Sequence, residues 1–177
     1  MYHFYFICYK VAESRYRQEV LMDKYPMTLE GKRKLEEELK DLRSVKRPAN
    51  VKAIEEARAH GDLSENAEYH AAKEQQSLIA GRIEYLEDRI SRAEVIDVSK
   101  LSGDKVVFGA KVTMENVESG EETCYRIVGD DESDIDRGSV SISSPIARAL
   151  IGRQVGDEVT IRTPGGNRMV EIVEVEF

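Results

Sequence analysis

Residues 57–74 read ARAHGDLSENAEYHAAKE, and this stretch decides the fold of the chain. It lies between two long segments that are rich in helix-forming residues. Gly61 can adopt the left-handed conformation that ends one helix, and Asp62 can cap the start of the next. A connection this short makes the two helices antiparallel neighbours. The stretch therefore predicts a helical hairpin whose narrow tip is formed by residues 61–66.

The two arms of this hairpin carry matching apolar stripes. From Thr28 to about Val95 the sequence is rich in Glu, Lys, Arg, Leu and Ala, which favour helices. The second arm has a heptad seam, with alternating spacings of four and three, at Ala72, Gln76, Ile79, Ile83, Leu86, Ile90 and Ala93. The stripe of the first arm contains Leu35, Leu39, Leu42, Val45, Ile54 and Ala57. We expect a coiled-coil rod whose second arm, Leu63 to Val95, is about 50 Å long, with a kink or short break in the first arm at Pro48.

After Asp97 the pattern changes to short segments that are β-branched, roughly alternating and separated by turn signals. These segments are residues 106–108, 110–117, 123–128, 140–142, 158–163 and 169–175. The sequence from Pro164 to Asn167 (PGGN) predicts a hairpin loop, and Ser144-Pro145 predicts a short helix that ends at Gly152. The predicted fold class is α+β: a long antiparallel α-helical hairpin at residues 27–96, followed by a compact β-rich domain with a short helix at residues 97–177.

The charge balance argues against bulk attraction to nucleic acid. The chain has 26 Lys and Arg residues against 34 Asp and Glu residues, which gives a net charge of −8. Any contact with RNA or DNA must therefore be local. Cys8 and Cys124 lie far apart and lack the spacing of a redox motif or zinc site, so we expect a reducing, cytoplasmic location.

Residues 1–26 are expected to be an N-terminal extension outside the fold, with Met22 or Met27 as the working start. The segment from Tyr2 to Val11 (YHFYFICYKV) is apolar. It is shorter than the roughly 20 residues that span a bilayer, and it has neither a preceding basic region nor a following small-residue cleavage site. We expect no association with membranes.

Two carboxylates, Asp62 and Glu65, stand at the tip of the rod. Three residues apart on a helix, they would share one face. Such a pair suits Mg²⁺ when most ligands of the ion come from water or from elsewhere. The same spacing also fits a capping box, with Asp62 as the cap and Glu65 three residues on. From local spacing alone the capping interpretation is favoured, because caps are far commoner than metal sites, and the two roles can coexist.

Several separate motifs, in order, carry a resemblance to a known family. GDLSENAEYHAAKEQQ, VFGAKVT, YRIVGDDE, SPIARALIG and TPGG, at positions from Gly61 to Gly166, resemble the GreA/GreB family of bacterial transcript-cleavage factors. The resemblance runs from about Met27 to the C-terminus. It implies that the helical hairpin enters the secondary channel of RNA polymerase, and that the C-terminal domain, similar to the FKBP fold, docks at the rim of the channel.

The resemblance also implies an activity for the tip. In this family the factor stimulates the polymerase's own Mg²⁺-dependent cleavage of the 3′ end of backtracked RNA, so the chain is expected to be an accessory factor rather than an enzyme. By this similarity, Asp62 and Glu65 help to hold a second Mg²⁺ that is shared with the polymerase and orient the attacking water. We expect no stably bound cofactor in the isolated protein. We expect a monomer whose partners are RNA polymerase and the 3′ end of the nascent RNA; DNA binding is a further expectation.

Basic residues near the tip are expected to touch the extruded RNA. The positions that match the family's basic positions are Arg58 and Lys73. Lys73 departs from the expected arginine, and its point charge lacks the bidentate fork of a guanidinium group. Both side chains could instead be solvated charges on a helix face.

Three alternatives stay open at this point. A family member can inhibit the polymerase through the same channel, and tip chemistry alone does not exclude this. A domain similar to the FKBP fold could be a peptidyl-prolyl isomerase, but such a pocket needs aromatic side chains and only Phe108, Tyr125 and Phe177 follow residue 96. A chaperone-like clamp would need apolar tips. The acidic segment Asp130 to Asp136 lacks the glycine and glutamate of a calcium loop and is expected to be solvated.

Overall fold

The structure is a computed structural model that describes residues 24–59, 65–163 and 165–177. Its N-terminal half contains strand β1 (Tyr25–Thr28), helix α1 (Leu29–Asp41), a π-helical turn (Leu42–Lys46), helix α2 (Arg47–Ala59), helix α3 (Ala67–Ser91) and strand β2 (Ala93–Ile96). The predicted helical hairpin is confirmed. Residues 1–23 of the expected extension lie outside the described residues, as does the predicted turn at Gly61.

The irregularity expected near Pro48 is a π-helical turn that joins α1 to α2. The Arg47 N–H donates to the carbonyl of Leu42, five residues earlier. Pro48 has no N–H to donate to the carbonyl four residues before it, which favours a local break. Because the wider turn shifts the register, Val45 leaves the apolar stripe to which it was assigned, and its side chain is 58% exposed.

The rod is held together by the apolar seam between the arms. Its core contains Met27, Leu35, Leu42, Ile79 and Leu86, with Ile83 and Ile90 packed against them. Ile54 and Ala57 are also buried, nearer to the tip. These positions confirm the heptad of the second arm from Ile79 to Ile90 and, except at Val45, the stripe of the first arm; Ala93, the last predicted heptad position, lies in β2.

The second arm is shorter than expected at both ends. It begins at Ala67 and ends at Ser91, so its 25 residues span about 37 Å rather than about 50 Å. At its far end, the chain after residue 92 forms β2, which pairs in parallel with β1 from Tyr25↔Ala93 to Thr28↔Ile96. Tyr25 and Pro26, assigned to the extension, are thus part of this strand pair. The pairing overrides the helical period because Val95 and Ile96 favour strands.

The C-terminal half is a five-stranded sheet with a short helix. Its elements are β3 (Lys111–Asn116), β4 (Glu122–Val128), β5 (Ser139–Ser141), helix α4 (Pro145–Leu150), β6 (Glu158–Thr163) and β7 (Gly166–Glu176). The strand order is β5-β4-β3-β7-β6, with β4 and β5 parallel and the other neighbours antiparallel. One face of the sheet packs with α4 around a core that includes Val112, Ile127, Leu150 and Ile172.

Local signals in this half were largely reliable. Ser144 caps α4, since its hydroxyl accepts a hydrogen bond from the Ala147 N–H at 3.1 Å, and Pro145 stands at the first turn. Gly152 follows the helix with φ of +84°. The expected strand at residues 106–108 is wrong: Val106 is buried, but its N–H donates to the carbonyl of Arg153 at 2.7 Å and no neighbouring strand continues the pairing.

The acidic segment after β4 is not a free loop, as was expected, but clamps the C-terminal domain to the base of the rod. The Arg89 Nε donates to Asp131 Oδ2 at 2.6 Å, and the hydroxyl of Tyr85 donates to Asp131 Oδ1 at 2.5 Å. This hydrogen bond to Asp131 raises the pKa of Tyr85. The guanidinium carbon of Arg89 also lies 3.7 Å from the ring centroid of Tyr25. We call Tyr25, Tyr85, Arg89 and Asp131 the junction clamp.

A second set of contacts lies beside the junction clamp. Glu132 accepts hydrogen bonds from both the backbone N–H and the hydroxyl of Thr28, the N-cap of α1. Gly129 passes so close to the carbonyl of Pro26 that a Cβ atom there would lie 2.5 Å from that oxygen. Hydrogen bonds from the hydroxyls of Ser141 and Ser143 lower the pKa of Asp130, so this carboxylate stays ionised. The two halves of the chain therefore meet at a polar interface that contains several specific hydrogen bonds.

We predict that Leu86→Ala destabilises the protein by about 2–5 kcal/mol, because Leu86 is 0% exposed and its truncation leaves a cavity in the seam. Leu78→Ala is the matched control, since Leu78 is 62% exposed on the same helix and its truncation should cost less than about 0.5 kcal/mol. Urea unfolding followed by circular dichroism measures both. Equal losses would show that the seam does not support the rod.

We also predict coupling within the junction clamp. The side chains of Arg89 and Asp131 are 11% and 10% exposed, so removing either one leaves a nearly buried charge without its partner. In a double-mutant cycle of Arg89→Ala and Asp131→Ala, the unfolding free energies should show a coupling of about 1–3 kcal/mol. The more exposed pair Arg82 and Glu38 is the control, with an expected coupling below about 1 kcal/mol. Additive effects at the clamp would contradict this interpretation.

Candidate functional site

The arms of the rod come together at the tip, where α2 ends and α3 begins. The side-chain amide Nδ2 of Asn66 donates to the carbonyl oxygen of Ala57 at 2.8 Å, which joins the two arm ends directly. Between them, residues 60–64 lie outside the described residues. Asp62, the first predicted tip carboxylate, is one of these residues.

Glu65, the second predicted carboxylate, lies in a bend just before α3 and is exposed. No other residue in the described part of the chain forms a hydrogen bond or an ion pair with its side chain. Glu65 precedes α3 and so does not lie on a face of that helix, while Asp62 lies outside the described residues. An exposed carboxylate that no described residue engages can bind a ligand brought by another molecule.

Asn66, not Asp62, caps the helix that starts at Ala67. Its Oδ1 accepts a hydrogen bond from the Tyr69 N–H at 3.0 Å. The capping-box interpretation of Asp62 and Glu65 is therefore wrong for this helix. Asn caps about as strongly as Asp, so both positions carried the local signal. Asn66 also donates a hydrogen bond to the carbonyl of Ala57, which is available only in the folded hairpin. This additional bond favours a helix that starts at Ala67 over one that starts directly after Asp62.

Arg58 lies on the last turn of α2, where it faces the opposite arm. Its guanidinium carbon is 5.8 Å from the ring centroid of Tyr69, within the range of a cation–π contact. The ring of Tyr69 is half-buried and also meets His70 edge to face, with 5.7 Å between centroids. Tyr69 thus packs across the hairpin and holds an exposed arginine beside the tip.

Lys73 lies one turn after Tyr69 on the same face of α3. Its side chain is exposed, and its Nζ donates to Gln76 Oε1 at 2.7 Å. Arg58, Tyr69 and Lys73 therefore form a short basic and aromatic strip that leads away from the tip. Such a strip can attract the phosphates of a single RNA strand.

Among the described residues of the tip, Glu65 has a side chain that suits a metal ion. Within residues 24–59, 65–163 and 165–177, no group of three or more His, Cys, Asp or Glu side chains could hold a metal. The exposed carboxylate of Glu65 is nevertheless the kind of oxygen ligand that Mg²⁺ prefers, and Mg²⁺ commonly takes only one or two protein carboxylates. The described part of the tip therefore offers a Mg²⁺ ion one carboxylate, that of Glu65.

Among the described residues, no helix combines the length and the apolar character that a bilayer-crossing segment requires.

Comparisons with known proteins place the whole rod and sheet in one family. The family model described as "Transcription elongation factor, N-terminal" matches residues 25–95, and the one described as "Transcription elongation factor, GreA/GreB, C-term" matches residues 101–177. Transcription elongation factor GreA of Beijerinckia indica is 60% identical over 156 residues, which cover 88% of this chain and 99% of the relative. GreA of Xylella fastidiosa is 61% identical over 86% of this chain and 97% of its own length.

Among solved structures, the GreA factor homolog 1 (Gfh1) protein of Thermus thermophilus is 29% identical, covering 87% of this chain and 99% of its own chain, with a TM-score of 0.40. The two family models together span most of the sequence, and each corresponds to one half of the structure. The chain therefore belongs to the GreA/GreB family of transcription elongation factors.

Proposed function

We propose that this chain rescues arrested RNA polymerase by bringing an acidic tip to the polymerase active site, where it stimulates cleavage of the 3′ end of backtracked RNA. The observation that carries the proposal is the exposed Glu65 at the end of a stiff rod, unpaired within the described residues and next to the helix cap. As a member of the GreA/GreB family, the chain is an accessory factor that binds the polymerase and stimulates the polymerase's own cleavage reaction.

The chemistry assigned to the tip depends on Asp62 and Glu65. These two carboxylates would hold a Mg²⁺ ion shared with the polymerase, and that ion supplies charge stabilisation and an activated water for phosphodiester hydrolysis. Glu65 can also accept a hydrogen bond from the attacking water and so orient it. Neither residue needs partners within this chain, because the remaining ligands belong to the polymerase. The isolated protein should therefore leave RNA intact.

The two halves of the chain divide the work. Residues 27–96, with Tyr25 and Pro26 of β1, form the rod that enters the secondary channel, and residues 97–177 form the domain that docks at the rim of the channel. The factor acts as a monomer in the cytoplasm, with residues 1–23 outside the functional unit. DNA binding is not part of this proposal, because neither the family descriptions nor the names of the relatives support it.

The direct test uses stalled, backtracked elongation complexes with labelled RNA and Mg²⁺. The wild-type protein should shorten the RNA and restart synthesis. Asp62→Ala and Glu65→Ala should each lower the cleavage rate by about 100-fold or more, because each removes several kcal/mol of metal-based stabilisation from the transition state. Both variants should still compete with the wild type for polymerase.

Two outcomes of this test would count against the proposal. If both variants cleave at the wild-type rate, the carboxylates have no role. If the wild-type protein slows elongation and produces no shortened RNA, the chain is an inhibitor that acts through the same channel.

A second prediction concerns the basic strip. Arg58→Ala should lower the cleavage rate by about 10-fold at low salt, because it removes one charge-assisted contact to RNA phosphate. Lys73→Ala should have a smaller effect of about 3-fold, since its ammonium group is a point charge already bonded to Gln76. Tyr69→Phe is the control, because the ring that holds Arg58 is retained. Crosslinking of photoreactive RNA 3′ ends to the factor should fall in parallel; unchanged crosslinking in Arg58→Ala would exclude this RNA contact.

A further inference from the structure

One side chain makes hydrogen bonds at both ends of the tip connection. Asn66 Oδ1 accepts from the Tyr69 N–H at 3.0 Å, in the first turn of α3, and Asn66 Nδ2 donates to the Ala57 carbonyl at 2.8 Å, in the last turn of α2. The first N–H groups and the last carbonyls of a helix have no partner inside that helix. A single amide thus caps two helices and fastens their ends together.

We propose that Asn66 is the positioning residue for the Glu65 carboxylate. The bond between Asn66 and Ala57 joins the last turn of α2 to the residue that precedes α3. Glu65 directly precedes Asn66 in the chain. The Asn66 amide therefore sets the direction from which the Glu65 carboxylate is presented. This inference rests on the proposed function, because a position matters only if the carboxylates act in catalysis.

The same amide also orders the basic strip. Asn66 holds the backbone N–H of Tyr69, and the ring of Tyr69 lies 5.8 Å from the guanidinium carbon of Arg58. Loss of the bond between the arms would release the end of α2, which carries Arg58, from the start of α3, which carries Tyr69. The Glu65 carboxylate and the Arg58 guanidinium group should therefore lose their alignment together.

The rod contains a matched bond that serves as a control. Asn50, buried between the arms, donates from Nδ2 to the carbonyl of Ala72 at 2.9 Å. It is the same kind of contact: an asparagine amide that reaches the backbone of the opposite arm. Asn50 lies nine residues before the end of α2, or about 13 Å along the helix. Removing this bond loosens the rod without acting on the tip.

The test compares Asn66→Ser with Asn50→Ser in the backtracked-complex assay, with factor concentration varied to saturation. A serine at position 66 can still cap α3 through its hydroxyl but is too short to reach Ala57. Asn66→Ser should lower the maximal cleavage rate about 10- to 100-fold, because displacements of about 1 Å can cost this much in rate. Its half-saturating concentration should change less than about 2-fold, since the loss falls on the chemical step rather than on binding. Asn50→Ser should keep the wild-type maximal rate.

Amide hydrogen exchange in the free protein distinguishes a local effect of Asn66 on the tip from a general loss of stability in the rod. Amide hydrogen exchange at residues 57–59 and 65–69 should rise in Asn66→Ser, while the helix content seen by circular dichroism stays unchanged. Asn50→Ser should raise exchange in the middle of the rod instead.

Each alternative outcome overturns the proposal in a recognisable way. A wild-type maximal rate in Asn66→Ser, or an equal loss in Asn50→Ser, excludes a positioning role for Asn66 while the proposed function stands. A change confined to the half-saturating concentration assigns Asn66 to polymerase binding. Asp62→Ala is run beside these variants: if the wild-type protein and Asp62→Ala behave alike, the proposed function itself fails, and the positioning role with it.

Discussion

The apolar seam between the arms is the interaction on which the rest of the molecule depends. Helices of 13 residues, such as α1 and α2, are marginal on their own in water. They persist because Leu35, Leu42 and Ile54 are buried between the arms, and Ile79 and Leu86 are buried on the opposite helix. The position of the tip is fixed only while the two arms stay packed against each other along this seam. The polar, charged tip therefore needs no hydrophobic core of its own.

Polar and aromatic contacts at the base of the rod fix its orientation relative to the sheet domain. A rod that swivelled freely on the sheet domain would present its tip over a wide range of directions. The junction clamp limits this range with charged and aromatic groups, whose partners and angles are more specific than those of apolar contacts. The hydrogen bonds between Thr28 and Glu132 attach the rod to the sheet domain at a second place. Attachment at two places restricts the orientation of the rod more than attachment at one. Stiffness along the rod and orientation at its base are thus separate properties.

The sequence predicted features whose causes are local. Leu86 was assigned to the core because a heptad repeats the same signal over many residues. The sequence alone does not identify Asn66 as the cap of α3, because Asp62 is an equally good capping residue. Asn66 is favoured by its hydrogen bond to the carbonyl of Ala57 on the other arm, which the sequence does not show. Ala93 fits the helical period but pairs with a strand some 70 residues earlier. Asp131 looked solvated because its partner Arg89 lies 42 residues away. At the tip, Glu65 is exposed, and the helix that follows it starts later than the sequence predicts.

The π-helical turn between α1 and α2 determines which side of the outer half of the first arm faces the partner helix. A π turn holds one residue more than an α turn, so it behaves as a one-residue insertion absorbed within a helix. Each residue of an α-helix advances the azimuth by about 100°. If the same residues formed a regular α-helix instead, the outer half of the first arm would face a different side, and Ile54 would turn away from the partner helix. The phase of the distal half thus depends on the wider turn, and a length change that this turn did not absorb would rotate the outer end of the first arm as a unit.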